Sequence, residues 1–214
     1  MKNKTLTTLR NWITRCLACM AMLVLCQACS DEELLLQKSQ FVFIGDSIIY
    51  RWNLDKAFPN LETFNAGKGD QGIEYVEGHE GLYAGKIIVS HFGTNDYKHW
   101  INNIEGYADR YLKALKALGG DKAYIISILP RGKKQSANAL TSGPIIQKIN
   151  KELERRCPEF GYVFINVEDA LMEGPYFNSE YTDDSIHPNE KGYKIITDIV
   201  KPYLDAQEWQ KPTP

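Results

Sequence analysis

Four short polar clusters in this chain carry residue types suited to acyl transfer: Gly45-Asp46-Ser47, Asn65-Ala66-Gly67, Gly93-Thr94-Asn95-Asp96 and Asp184-Ser185-Ile186-His187-Pro188. A serine hydroxyl is a poor nucleophile until a base takes its proton, so Ser47 would need an imidazole within hydrogen-bond reach. His187, 140 residues further on, is a candidate base. Asp184 is close enough to it in sequence for one turn to set a carboxylate against the ring, fixing the tautomer and stabilising the cation. Pro188 would stiffen that turn. A tetrahedral oxyanion also needs donors, and the backbone N–H groups of Ser47 and Gly67 with the side-chain amide of Asn95 could supply three, one such donor being worth about 3 kcal/mol. Gly67, without a Cβ, would let a substrate oxygen approach the main chain. Taken singly these clusters are ordinary: a turn, a bend, a helix cap. Their order and setting are more specific.

The setting is an alternation of strands and helices. Phe41–Ile44, Lys86–Phe92, Tyr124–Leu129 and Tyr162–Val167 are β-branched and apolar on both faces, as buried parallel strands should be, and a shorter strand is expected at Thr63–Phe64. Ile104, Tyr107, Ala108, Tyr111, Leu112, Leu115 and Leu118 recur at helical spacing, with Gly119-Gly120 ending the run. Ile145, Ile146, Ile149 and Leu153 form a second stripe, and Ile195, Ile196, Ile199, Val200 and Tyr203 a third. Strands separated by helices require right-handed crossovers and a parallel sheet covered on both faces. Three of the clusters then fall at strand ends and the fourth just before the C-terminal helix, where loops converge on a ligand.

On these residues the chain resembles the SGNH hydrolases, the GDSL esterase/lipase superfamily, from Phe41 through the Ile195 helix. The family's serine, glycine, asparagine and histidine map to Ser47, Gly67, Asn95 and His187, and its aspartate three places before the histidine to Asp184. That spacing favours Asp184 over Asp183. Ile48 replaces the usual leucine, and Ser185 stands where glycine is common. The resemblance implies a three-layer α/β/α sandwich around a mainly parallel five-stranded sheet of flavodoxin-like type, and a serine esterase needing no cofactor or metal. Asp46 and Asp96 are expected to bond neighbouring loop amides. His79, His91 and His99 lack an aspartate three places earlier, and His91 could line the sheet's edge. Cys157, alone in the body of the chain, reads as a bystander.

The family acts on many esters. The stretch from Gly67 to Ile87 is short and polar (Asp70, Gln71, Glu74, Glu77, His79, Glu80), which suits a small acyl group better than a long chain. Tyr50, Trp52, Tyr97, Trp100, Tyr176 and Phe177 could stack on sugar faces. The expected activity is therefore O-deacetylation of carbohydrate. The alternatives are a lysophospholipase or short-chain acyl esterase, and a surface glycan-binding protein without turnover.

The first 28 residues hold Lys2, Lys4, Arg10 and Arg15 and no acid, then an apolar run ending Leu25-Cys26-Gln27-Ala28 before Cys29. This is a secretory pattern too short to span a membrane as a mature helix. It resembles the lipobox of bacterial lipoproteins, with Leu25 one place further out than usual, which would make Cys29 the lipidated first residue of an envelope protein. Ser30-Asp31-Glu32-Glu33 resembles the export signal of surface lipoproteins, and a secreted protein cut near Ala28 is the alternative. The expected organisation is a leader at 1–28, a tether or first helix at 29–39, one domain at 40–209 and a frayed tail at 210–214. Without the leader's four cations, 21 basic residues face 27 acidic ones, a net of −6 that would repel nucleic-acid phosphates. The membrane is then a partner through the lipid anchor only.

Overall fold

The computed structural model of the chain describes residues 31–134 and 143–206. The leader, Cys29 and the tail lie outside the described residues, as does the expected end of the domain at Trp209. Residues 31–38 are helical and belong to a separate compact unit, which ends at Ser39.

Five strands form one parallel sheet: β1 (Phe41–Gly45), β2 (Thr63–Gly67), β3 (Ile87–His91), β4 (Lys122–Ile126) and β5 (Val163–Ile165), in the order β2-β1-β3-β4-β5. The chain steps outward from β1 to β2, then crosses back to the other side of β1 for β3. That reversal opens a crevice beyond the strand ends between β1 and β3. Register sharpens it, because Gly45 pairs with both Gly67 and His91, so β1, β2 and β3 end at one level. The Ser47, Gly67 and Asn95 clusters therefore leave the sheet side by side.

Strand alternation sends Phe41, Phe43, Val89, Tyr124, Ile126 and Ile165 into one apolar cluster with Ile49, Trp52, Phe58, Ile196, Val200 and Leu204. The last three lie on α7 (Glu190–Asp205), four residues apart along one face. Ser90 points to the opposite face, where its hydroxyl lies 3.0 Å from that of Tyr111 on α4 (Ile104–Ala117). There α4 packs beside α5 (Gly143–Arg156). The result is helix, sheet, helix, as expected.

Several boundaries differ from the sequence reading. The strand expected to reach Leu129 leaves the sheet after Ile126: Ser127 N still donates to the Ile165 carbonyl, but the N–H and carbonyl of Ile128 are both taken by the Asn150 amide, at 2.8 Å each. The short strand at Thr63 instead runs to Gly67 along the whole of β1. Four single-turn helices were not anticipated: α1 (Ser47–Tyr50), α2 (Leu54–Ala57), α3 (Tyr97–Trp100) and α6 (Glu168–Leu171). A small antiparallel hairpin, β6 (Met172–Glu173) with β7 (Tyr176–Phe177), was also missed. His91 lies on an interior strand and is fully buried, so it does not line the sheet's edge.

Glu168 opens α6 inside the protein, 2% exposed, with its Oε2 accepting from Asn150 at 2.7 Å. Burial pushes its carboxyl up to about 7, the Asn150 bond opposing and the Asp169 charge adding to the rise. The folded chain thus keeps a proton that the unfolded chain releases at lower pH. The associated stability is complete below the unfolded carboxylate range and is lost as pH rises through about 7. Thermal unfolding should register this as a loss on the order of 2 kcal/mol between about pH 5 and pH 8, largely abolished in Glu168→Gln. Parallel pH profiles for the two proteins would contradict it.

Candidate active site

Ser47 is the first residue of α1, and Asp46 is that helix's N-cap, accepting the Ile48 N–H on Oδ1 at 2.9 Å. The same carboxylate oxygen lies 3.1 Å from His91 Nδ1, with both side chains fully buried. The turn that presents Ser47 is therefore tied to the neighbouring strand from beneath. The tie to His91 had no signal in the sequence, because the two residues meet only through strand register.

The Ser47 Oγ lies 2.8 Å from His187 Nε2, and His187 Nδ1 lies 2.6 Å from Asp184 Oδ2. With the Nδ1 proton directed at the carboxylate, Nε2 is left to accept from the serine hydroxyl. Asp184 Oδ1 accepts the backbone N–H groups of Ile186 and His187 at 2.9 and 2.8 Å, so one carboxylate both shapes the turn and orients the ring. Burial acts to raise the Asp184 carboxyl, but these bonds and the His187 ring outweigh it and hold the group well below the usual carboxylate range. Asp183 turns elsewhere, accepting from Asn189 Nδ2 at 3.3 Å. Asn189 in turn caps α7 through Gly192 N, which anchors the whole turn to a long helix.

Ser185, inside this turn, has φ +68°, in the left-handed region where a side chain is strained. A glycine there would meet no such penalty. This is the physical content of the departure noted in the sequence.

The three expected oxyanion donors sit in different circumstances. Ser47 opens α1, at the end of a helix where backbone N–H groups lack helical partners. Asn95 Nδ2 donates to the Gln71 carbonyl at 2.9 Å, which steadies the amide and leaves its second N–H. Gly67 N donates to Asn65 Oδ1 at 2.9 Å, and Asn65 Nδ2 donates to the carbonyls of Ile49 and Trp52. A Cβ on Gly67 would lie 2.4 Å from Tyr50 N, so the packing of α1 also requires the glycine. Asn65 is the residue sequence reasoning passed over, although it stood within the Asn65-Ala66-Gly67 cluster.

Asp96 bonds a neighbouring loop amide, as expected, and also a side chain missed in the sequence: it accepts from Ile73 N at 3.1 Å and from the Tyr107 hydroxyl at 2.8 Å. Burial raises its carboxyl above the ordinary range. Together Asn95 and Asp96 fasten the Gln71–Ile73 stretch beside the crevice. Of the aromatic residues expected at the rim, Trp52, Trp100 and Phe177 are core instead, whereas Tyr50 is exposed and Tyr97 and Tyr176 are half-buried. Cys157 is buried, with its thiol pushed up to about 12 by desolvation, so it has no nucleophilic character. His79 and His99 are exposed.

Residues 43–195 match the model of the GDSL-like Lipase/Acylhydrolase family. No curated protein matches the chain at a significant level. Among solved structures, a GDSL-like lipase from Bacteroides thetaiotaomicron is 21% identical with a TM-score of 0.64, covering 79% of this chain and 89% of its own. A member of the lipolytic G-D-S-L family from Veillonella parvula is 17% identical, with a TM-score of 0.59 and coverage of 78% and 98%. A catalytic mutant of an acetylxylan esterase from Geobacillus stearothermophilus is 15% identical, with a TM-score of 0.57 and coverage of 82% and 97%. At such identities the likeness is one of fold.

Two substitutions test this geometry in opposite directions. Gly67→Ala should destabilise the protein by about 2 kcal/mol, because the new methyl group must push α1 aside, and turnover should fall with it. Ser185→Gly should stabilise it by about 1 kcal/mol through relief of the left-handed strain. Differential scanning calorimetry reads both, and a stabilised Gly67→Ala or a destabilised Ser185→Gly would refute the respective argument.

Proposed function

The chain belongs to the GDSL-like lipase/acylhydrolase family, and from that premise we propose that it is a serine esterase removing acetyl groups from carbohydrate through an acyl-enzyme. The observation that carries this reading is the unbroken relay from Ser47 Oγ through His187 to Asp184, at 2.8 and 2.6 Å. In acylation the Ser47 hydroxyl proton passes to His187 Nε2 as Oγ bonds the ester carbonyl carbon, and the carbonyl electrons move to oxygen. The negative oxygen is held by Ser47 N–H, the Asn95 amide and Gly67 N–H, the last released from Asn65. Collapse of the intermediate breaks the bond to the alcohol, which takes its proton from His187 and leaves. Water then repeats the sequence on the acyl-enzyme: it gives a proton to His187, and Ser47 recovers one as the acid departs. Asp184 stays ionised throughout, and its depressed carboxyl suits that role.

The small acyl group is supported by the short, polar sequence from Gly67 to Ile87, in which Gln71 and Ile73 are fastened beside the crevice by Asn95 and Asp96. An acetylxylan esterase of the same fold provides a precedent for the carbohydrate. The Leu25–Cys29 pattern supports anchorage of the enzyme to the cell envelope through lipid on Cys29.

A fluorophosphonate probe should label Ser47 in the native chain and leave Ser47→Ala unlabelled, with esterase activity lost by at least about 10³-fold. Asn95→Ala should lower kcat by about 10²-fold, more than it changes KM. Acetyl esters should be cleaved faster than octanoyl esters of the same alcohol. A preference for octanoyl would turn the assignment toward a lysophospholipase, and absence of labelling toward a binding protein.

A further inference from the structure

A cavity of about 800 Å³ adjoins the turn that carries Asp184 and His187, walled by Lys133, Lys134, Glu173, Tyr176, Asp183 and Ser185. Three segments build it, and backbone bonds join them. Gly132 N donates to the Ser185 carbonyl at 2.8 Å, Phe177 N to that of Arg131 at 3.1 Å, and Asn178 N to that of Leu171 at 2.9 Å. Gly132 is a necessity here, since a Cβ on it would fall 2.5 Å from Ser185 Cβ.

From this we infer that the cavity holds the alcohol portion of the ester, a neutral polyhydroxylated sugar, and that Ser185 is a specificity-determining residue in its wall. The inference rests on the serine-esterase reading and deepens it. Its direction comes from the chemistry: His187 must hand a proton to the departing alcohol oxygen, so the alcohol lies on the imidazole's side of the carbonyl. The oxyanion donors lie on the side of β2 and β3. On the imidazole's side, Asp183 and Ser185, which flank Asp184 in the turn bearing the ring, line the cavity.

The nature of the ligand follows from the lining. Ammonium groups on Lys133 and Lys134 donate, and carboxylates on Glu173 and Asp183 accept, while the Tyr176 ring offers an apolar face. Sugar hydroxyls do both, and a pyranose presents one face of C–H groups to a ring. A hydrocarbon would strip water from four charged groups without replacing their hydrogen bonds, and a ligand with net charge of either sign would face two like charges. Ser185 adds a second, independent observation. Its left-handed backbone is one that glycine adopts without cost, so a side chain is kept in the cavity wall at a strain, against the local conformational preference.

The test keeps the acyl group constant and changes only the alcohol. Values of kcat/KM are measured on acetylated xylotetraose and on ethyl acetate for the native chain, Ser185→Gly and Tyr176→Ala. The native chain should prefer the sugar ester, and each variant should lower the ratio of the two by about tenfold, mainly through KM for the sugar ester. Ser185→Gly relieves strain, so a fall in that variant does not reflect misfolding. An unaltered ratio, or both esters falling in proportion, overturns the inference. Fluorophosphonate labelling of the native chain keeps the two failures apart: labelled protein with an unchanged ratio refutes the sugar site alone, and unlabelled protein refutes the esterase. In that event calorimetric titration of unacetylated xylotetraose still decides the cavity, because equal affinity in the native chain and Tyr176→Ala overturns it.

Discussion

A side chain on a single-turn helix is only as well placed as the end of that helix, and for Ser47 on α1 that end is held by one buried carboxylate. Asp46 caps α1 through Ile48 N and reaches His91 Nδ1, with both side chains shut away from solvent. Its Oδ2 and the His91 Nε2 find no hydrogen-bond partner among the described residues. A pair placed so deep is a weak source of net stability, because desolvation offsets most of the attraction. What it does supply is position. Either partner without the other would leave a buried polar group stranded, so the two hold β1, β3 and the first turn of α1 in one arrangement.

The remaining parts of the site inherit that arrangement through register. Since Gly45, Gly67 and His91 end their strands at the same level, the segments that follow emerge abreast. Close packing then removes the slack: a Cβ on Gly45 would meet the His91 carbonyl at 2.2 Å, and one on Gly67 would meet α1. His187 comes from the far end of the chain, and it is aligned by different means. Asp184 organises its own turn, and Asn189 ties that turn to α7. Ser47 is thus seated on the sheet and His187 on a helix. Their meeting at 2.8 Å reflects two rigid supports rather than one.

What could be read in the sequence is what depends on continuous runs. The buried strands announced themselves as unbroken apolar stretches, and the polar clusters stood out because they interrupt those runs. Residues whose role depends on a distant partner were opaque. Ser127-Ile128-Leu129 looks like more strand, and only the Asn150 amide, from a helix further along, takes it out of the sheet. Trp52, Trp100 and Phe177 are chemically fit for sugar stacking, and burial alone assigns them to packing. Ser185 was visible as an unusual residue type, yet the sign of its φ has no signature in the sequence. The Asn65 bond to Gly67 depends on where the Ile49 and Trp52 carbonyls come to lie.

That last bond bears on how the resting protein discriminates between charge states. With the Gly67 N–H already given to a carboxamide oxygen, an arriving ligand must compete for it. A neutral carbonyl offers an acceptor of about the same strength and has little to gain by the exchange. An oxygen bearing full negative charge forms a bond roughly twice as strong and displaces the incumbent. On the proposed mechanism, the contact is withheld from the ester and granted to the tetrahedral species, a gate set by acceptor strength instead of by shape.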